Sequence, residues 1–122
     1  MANILAVDDM RSMRDLVKSV LEKRGHSVTT QDDGETALAF AQSNKVDLVI
    51  SDINMPKMNG ITLVEALRAL PAYRNIPVLM LTTEDAKEKK NQARAAGANG
   101  WIQKPFNPDR LVNAVDKTLA KN

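Results

Sequence analysis

The chain has 122 residues, with 17 Lys and Arg against 15 Asp and Glu, one His and no Cys. That length suits one domain with its own core, and a single domain over residues 1–122 without a separate output module is expected. The absence of cysteine excludes a disulfide scaffold, a thiolate metal site and a cysteine nucleophile. A net charge of +2 is too small to argue for nucleic acid, and no apolar run or leader pattern suggests a membrane or secreted protein, so a cytoplasmic monomer is expected.

In chain order, Ile4-Leu5-Ala6-Val7 is an uninterrupted apolar run of the kind buried on both faces of a parallel sheet. Met13, Leu16, Val17, Val20 and Leu21 follow at helical spacing, and Gly25 supplies a stop. Val28-Thr29-Thr30 is a weaker strand suited to a sheet edge, and Asp33-Gly34 opens a helix with Ala37, Leu38 and Ala41 on one face. Leu48-Val49-Ile50 is the next buried strand. Asn59 then caps a helix carrying Ile61, Val64, Leu67 and Leu70. Val78-Leu79-Met80-Leu81 is the fourth strand. The segment from Asp85 to Ala96 differs, because it carries Lys87, Glu88, Lys89, Lys90 and Arg94 and has only alanines to bury. Methyl groups contribute ~0.8 kcal/mol each on burial, so this helix is expected to be the most loosely anchored. Trp101-Ile102-Gln103 suits the other sheet edge. Asn107-Pro108 starts a last helix with Leu111, Val112, Val115 and Leu119 on its inner side.

Five strand–helix alternations with right-handed crossovers predict an α/β fold, a parallel sheet layered between helices. In such folds ligands bind beyond the carboxyl ends of the strands. The residues there are Asp8 and Asp9 after the first strand, Asp52 after the third, Thr82 and Thr83 after the fourth and Lys104 after the fifth. Each has an ordinary use alone: a helix cap for Asp8 or Asp9, a turn for Asp52, a strand end for Thr82, a solvated loop for Lys104. Their coincidence at the ends of different strands points to a site. Three crowded carboxylates need cations; Lys104 offsets one charge, and oxygen-only donors favour a hard divalent ion such as Mg²⁺ or Mn²⁺.

Val7-Asp8-Asp9, Asp52-Ile53-Asn54-Met55-Pro56 with Gly60, Leu81-Thr82 and Lys104-Pro105-Phe106 together resemble the response-regulator receiver family over essentially the whole chain, and most of all its stand-alone chemotaxis regulators of the CheY type. The resemblance implies a flavodoxin-like three-layer α/β/α sandwich with strand order 2-1-3-4-5. It implies that Asp52 is the phosphoacceptor for a phosphohistidine of a CheA-like histidine kinase in a two-component phosphorelay. Asp9, Asp52 and the backbone carbonyl of Asn54 would ligate the metal, with Asp8 acting mainly through water. Lys104 and Thr82 would hold phosphoryl oxygens, and the Lys104–Pro105 bond would be cis. Trp101 falls at the family's aromatic switch position, usually Tyr or Phe, and would respond to Thr82 by remodelling the surface of the fourth helix, fifth strand and fifth helix, including Lys87, Lys90 and Arg94. Asn54 and Glu84 match the chemotaxis pattern beside the acceptor and imply rapid loss of the phosphoryl group. Thr83 replaces the small residue common there and would narrow access.

The implied outcome is binding of a downstream protein such as a flagellar motor switch protein, with a phosphatase as a further partner and no enzymatic action on outside substrates. The alternatives are a phosphate sink or a regulator of a non-flagellar pathway. A flavin-binding module is disfavoured because the first loop, Asp8-Asp9-Met10-Arg11, lacks the glycines and hydroxyls that cradle phosphate. Charge is also uneven: residues 1–83 hold 9 basic and 10 acidic side chains, residues 84–122 hold 8 and 5. The basic excess falls on the proposed output helices, which suggests an acidic protein partner.

Overall fold

Period-two alternation within each strand decides how the layers assemble. In a computed structural model, described over residues 1–83 and 87–120, the elements run β1 (Asn3–Val7), α1 (Arg11–Glu22), β2 (Ser27–Gln31), α2 (Gly34–Ser43), β3 (Leu48–Asp52), α3 (Gly60–Arg68), a short 3₁₀ turn (Pro71–Tyr73), β4 (Val78–Thr82), α4 (Lys87–Ala96), β5 (Gly100–Gln103) and α5 (Pro108–Ala120). The five strands are parallel in the order β2-β1-β3-β4-β5, as expected, and the two polar strands β2 and β5 occupy the edges.

Along β1, Ile4 and Ala6 face one side and Leu5 and Val7 the other. Ile4, Ala6, Leu48, Ile50, Leu79, Leu81 and Ile102 pack with Val17 and Leu21 of α1 and Leu111 and Val115 of α5. Leu5, Val7, Val49, Val78 and Met80 pack with Ala37 and Ala41 of α2, Leu63, Val64 and Leu67 of α3, and Ala93 of α4. Burial on both faces explains why β1, β3 and β4 read as continuous apolar runs rather than alternating ones.

Three helix caps form as their sequences predict. Asp33 accepts from the Thr36 N–H at 2.8 Å, which holds its carboxyl below the usual range, and Asn59 accepts from the Thr62 N–H at 2.9 Å. Asn107 does the same for Arg110 at 2.8 Å. Two core assignments need correction. Leu16 is exposed, because one residue is a rotation of about 100° and carries it off the stripe centred on Val17 and Leu21. Leu70 lies beyond α3, half-buried at the entry to the 3₁₀ turn, and Leu63 takes its place on the buried stripe.

The 3₁₀ turn was not signalled by periodicity; it buries Tyr73, whose hydroxyl donates to the Asn44 carbonyl. Arg68 donates to the carbonyls of Tyr73, Ile76 and Gly97, at 2.6, 2.6 and 2.7 Å, and so pins the C-terminal end of α4 to α3. The rest of α4 has little comparable anchorage: Ala93 is its only fully buried residue. Amide hydrogen exchange along α4 is therefore expected well before that of β1, β3 and β4. Exchange there as slow as in the central strands would contradict this account.

Candidate functional site

Asp8, Asp52 and Lys104 continue the alternation that points Ile4 and Ala6, Leu48 and Ile50, and Ile102 toward one face. The parallel register sets their strand ends side by side. Lys104 Nζ lies 3.0 Å from Asp8 Oδ2 and 3.4 Å from Asp52 Oδ1, and all three side chains are nearly buried. Asp9 is exposed, yet one carboxylate oxygen from each of Asp8, Asp9 and Asp52 fits within a 4.8 Å span. The three carboxylates are thus brought together, two of them sharing the Lys104 ammonium.

Each member is held by local chemistry. The Met10 N–H donates to Asp8 Oδ1 at 2.9 Å, and the Arg14 guanidinium donates to the Asp8 carbonyl at 2.7 Å. Neither partner was expected from sequence, although Arg14 stands one helical turn from the acidic pair. The Ser51 hydroxyl donates to the Asp52 carbonyl at 2.9 Å. Gly60 opens α3 directly behind the acceptor: a Cβ there would come 2.1 Å from the Asp52 carbonyl oxygen and 2.7 Å from Met80 Cε. Lys104 donates its N–H to the Thr82 carbonyl at 2.7 Å, and the Lys104–Pro105 bond is cis, as expected.

Burial raises the Asp52 carboxyl above the usual range; Lys104 opposes this, while Asp8 and Asp9 reinforce it. A more basic carboxylate that is still paired with a cation is a suitable nucleophile. The donors gathered there are carboxylate oxygens, with no His or Cys, and the cluster carries more negative than positive charge. Those properties fit a hard divalent ion such as Mg²⁺.

Thr82 is buried at the end of β4, between Asp52 on β3 and β5, and Thr83 beside it is exposed. Asn54 is exposed just after the acceptor; Glu84 lies outside the described residues. Trp101 pairs with Met80 and packs half-buried on the core that contains α2, α3 and α4. Lys90 and Arg94 lie over its ring, with Lys90 Nζ 5.4 Å and the Arg94 guanidinium carbon 5.1 Å from the centroid, while Lys87 is exposed at the start of α4. The i, i+4 spacing of Lys90 and Arg94 puts both on one face of α4, but their stacking on Trp101 depends on tertiary placement. A concavity lined by His26, Lys45, Asp47 and Ile76 lies at the opposite, amino end of the sheet.

A model of the response regulator receiver domain matches residues 4–116. The chain is 40% identical over 119 residues to the chemotaxis protein CheY of Pseudomonas aeruginosa, covering 97% of this chain and 96% of that one. It is 43% identical over 119 residues to CheY-3 of Vibrio cholerae, covering 97% and 92%. The solved structure of CheY4 of Vibrio cholerae superimposes with a TM-score of 0.94 at 47% identity, over 97% of this chain and 98% of that one.

Two predictions follow from the geometry. Gly60→Ala forces Cβ into the Asp52 carbonyl, so chemical denaturation should show a loss of about 1–3 kcal/mol typical of overpacking; unchanged stability would show that the backbone can yield there. For Asp52, the folded carboxyl holds its proton to higher pH than the unfolded one. The folded chain therefore binds more protons in that window, and its stability falls as pH rises through it. Without divalent ions, Asp52→Asn should be more stable than the parent at neutral pH, and the difference should shrink on acidification into the carboxylate range. A less stable Asn variant at neutral pH would contradict this reading.

Proposed function

The chain belongs to the response regulator receiver family, and from that membership we propose that it is a phosphorylation-activated switch of the chemotaxis type. The observation that carries this reading is the cluster itself: one carboxylate oxygen from each of Asp8, Asp9 and Asp52 within a 4.8 Å span, with Lys104 bridging Asp8 and Asp52, at the carboxyl ends of a parallel sheet. The full-length similarity to proteins named for chemotaxis supports the pathway.

In the proposed step, an Asp52 carboxylate oxygen attacks the phosphorus of a phosphohistidine on a partner kinase. The O–P bond forms as the P–N bond breaks, and the imidazole leaves with its electron pair. Burial raises the basicity of Asp52, and Lys104 keeps it ionised. Lys104 then turns from the carboxylate to a phosphoryl oxygen, as a point charge that needs no bidentate geometry. Asp9, Asp52 and the Asn54 carbonyl would hold Mg²⁺, with Asp8 contributing mainly through water. The bound ion supplies the positive charge that lets an anionic phosphoryl group enter an acidic site.

Thr82 stands in the strand between the acceptor and Trp101, on the same strand phase as Met80, the neighbour of the ring. In the proposed response its hydroxyl follows a phosphoryl oxygen, which changes the space that Trp101 can occupy. Phosphorylation then biases two arrangements of the α4–β5–α5 surface, where a downstream protein such as a flagellar motor switch component binds. Asn54 and Glu84 favour return to the unphosphorylated form, alone or with a phosphatase. The chain acts on its own aspartate and on no outside substrate.

Incubation with Mg²⁺ and a small phosphodonor such as acetyl phosphate, followed by intact mass measurement, should show one added phosphoryl group. The adduct should be lost with a chelator and absent in Asp52→Asn. No adduct on the parent chain, or an equal one on Asp52→Asn, would overturn the proposal.

A further inference from the structure

The only tryptophan of the chain lies under two cations of one helix. The Lys90 and Arg94 distances of 5.4 and 5.1 Å both fall within the ~6 Å reach of cation–π attraction. The two residues are four apart on α4 and share one of its faces, where like charges repel. The negative face of the indole offers them a common counter-pole. Trp101 is half-buried, packed against the core on one side and open to α4 on the other.

This arrangement matters because Ala93 is the only fully buried residue of α4. The contact between the ring and the two cations therefore links α4 to β5. Any movement of the ring away from α4 must give up both contacts, and any loss of the cations releases the ring.

We propose that Lys90 and Arg94 form a cation latch that holds Trp101 against α4 and sets the resting position of the switch. The latch rests on the reading of Trp101 as the moving aromatic residue. Each cation–π contact at an exposed site corresponds to a factor of about two to five in an equilibrium constant. Two independent contacts bias the resting arrangement by a factor of about four to twenty-five. A ligand that requires the other arrangement binds more weakly by the fraction of molecules competent to accept it. With the competent arrangement the minor one at rest, removing the latch should therefore tighten such a ligand by about the same factor. Lys90 and Arg94 are positioning residues, since neither touches the acceptor.

The test is a titration of the full chain with beryllium fluoride in the presence of Mg²⁺, a mimic of the phosphoryl group on Asp52, followed by Trp101 emission. The midpoint is read rather than the amplitude, because cations beside an indole also alter its brightness. Lys90→Gln and Arg94→Gln should each lower the midpoint about two- to five-fold, and the double variant about four- to twenty-five-fold. Arg94→Lys, which keeps the charge, should stay within about two-fold of the parent. Thermal unfolding identifies any variant that acts by general destabilisation, and the exposed position of Arg94 makes that effect small. Equal midpoints for the parent and the double variant would overturn the latch while leaving the switch intact. If beryllium fluoride raises the thermal stability of the parent but leaves its emission flat, Trp101 does not move, and both the switch role of Trp101 and the latch fail.

Discussion

Carboxylates gathered within a few ångströms repel one another, and burial makes the repulsion harder to screen. Asp8 and Asp52 meet this constraint by sharing one ammonium, Lys104, at 3.0 and 3.4 Å, with Asp9 adding a third negative charge at the exposed edge. The cluster is left short of positive charge. Burial, with the Asp8 and Asp9 charges adding to it, makes Asp52 more basic than a surface aspartate, and the shortage of positive charge prepares the site for a divalent cation and, with it, an anionic group. A site with its charges fully balanced would be more stable and would have less use for either.

The rest of the fold maintains this unfavourable grouping. The α1 and α5 core fixes the phase on which Asp8, Asp52 and Lys104 emerge, and the α2–α4 core fixes the opposite phase, to which Met80, Thr82 and Trp101 belong. Thr82 sits in the strand between the two sets, which gives an event at Asp52 a short mechanical route to β5. Gly60 lets α3 begin against the Asp52 carbonyl, where any side chain would push the acceptor out of register. At the far end of the route the support is thinner. Alanine methyls, the Arg68 hydrogen bonds and the cations over Trp101 hold α4, so this is where a small energy difference can move a surface.

Most of this was legible in the sequence because it depends on short-range patterns. Continuous apolar runs mark β1, β3 and β4, and the strand-end residues follow directly from them, so Asp8, Asp52, Thr82 and Lys104 could be placed in one site before any coordinates. Asp33, Asn59 and Asn107 announced their helices through capping chemistry. Leu16 was misplaced because a five-residue apolar set is wider than the face α1 buries, and Leu70 because apolar spacing continues after the helix has ended at Arg68. The 3₁₀ turn around Tyr73, the support of Asp8 by Arg14 and the stacking of Lys90 and Arg94 on Trp101 depend on tertiary placement. No periodicity encodes them.

The central claim concerns one carboxylate out of three neighbours. It is tested most directly by phosphorylating the parent chain with a small phosphodonor, reducing the acyl phosphate with borohydride and sequencing the peptides by mass spectrometry. Homoserine at position 52, with Asp8 and Asp9 unchanged, is the predicted result. Reduction at Asp8 or Asp9, or a stable phosphate ester on Thr82 or Thr83 in its place, would contradict it.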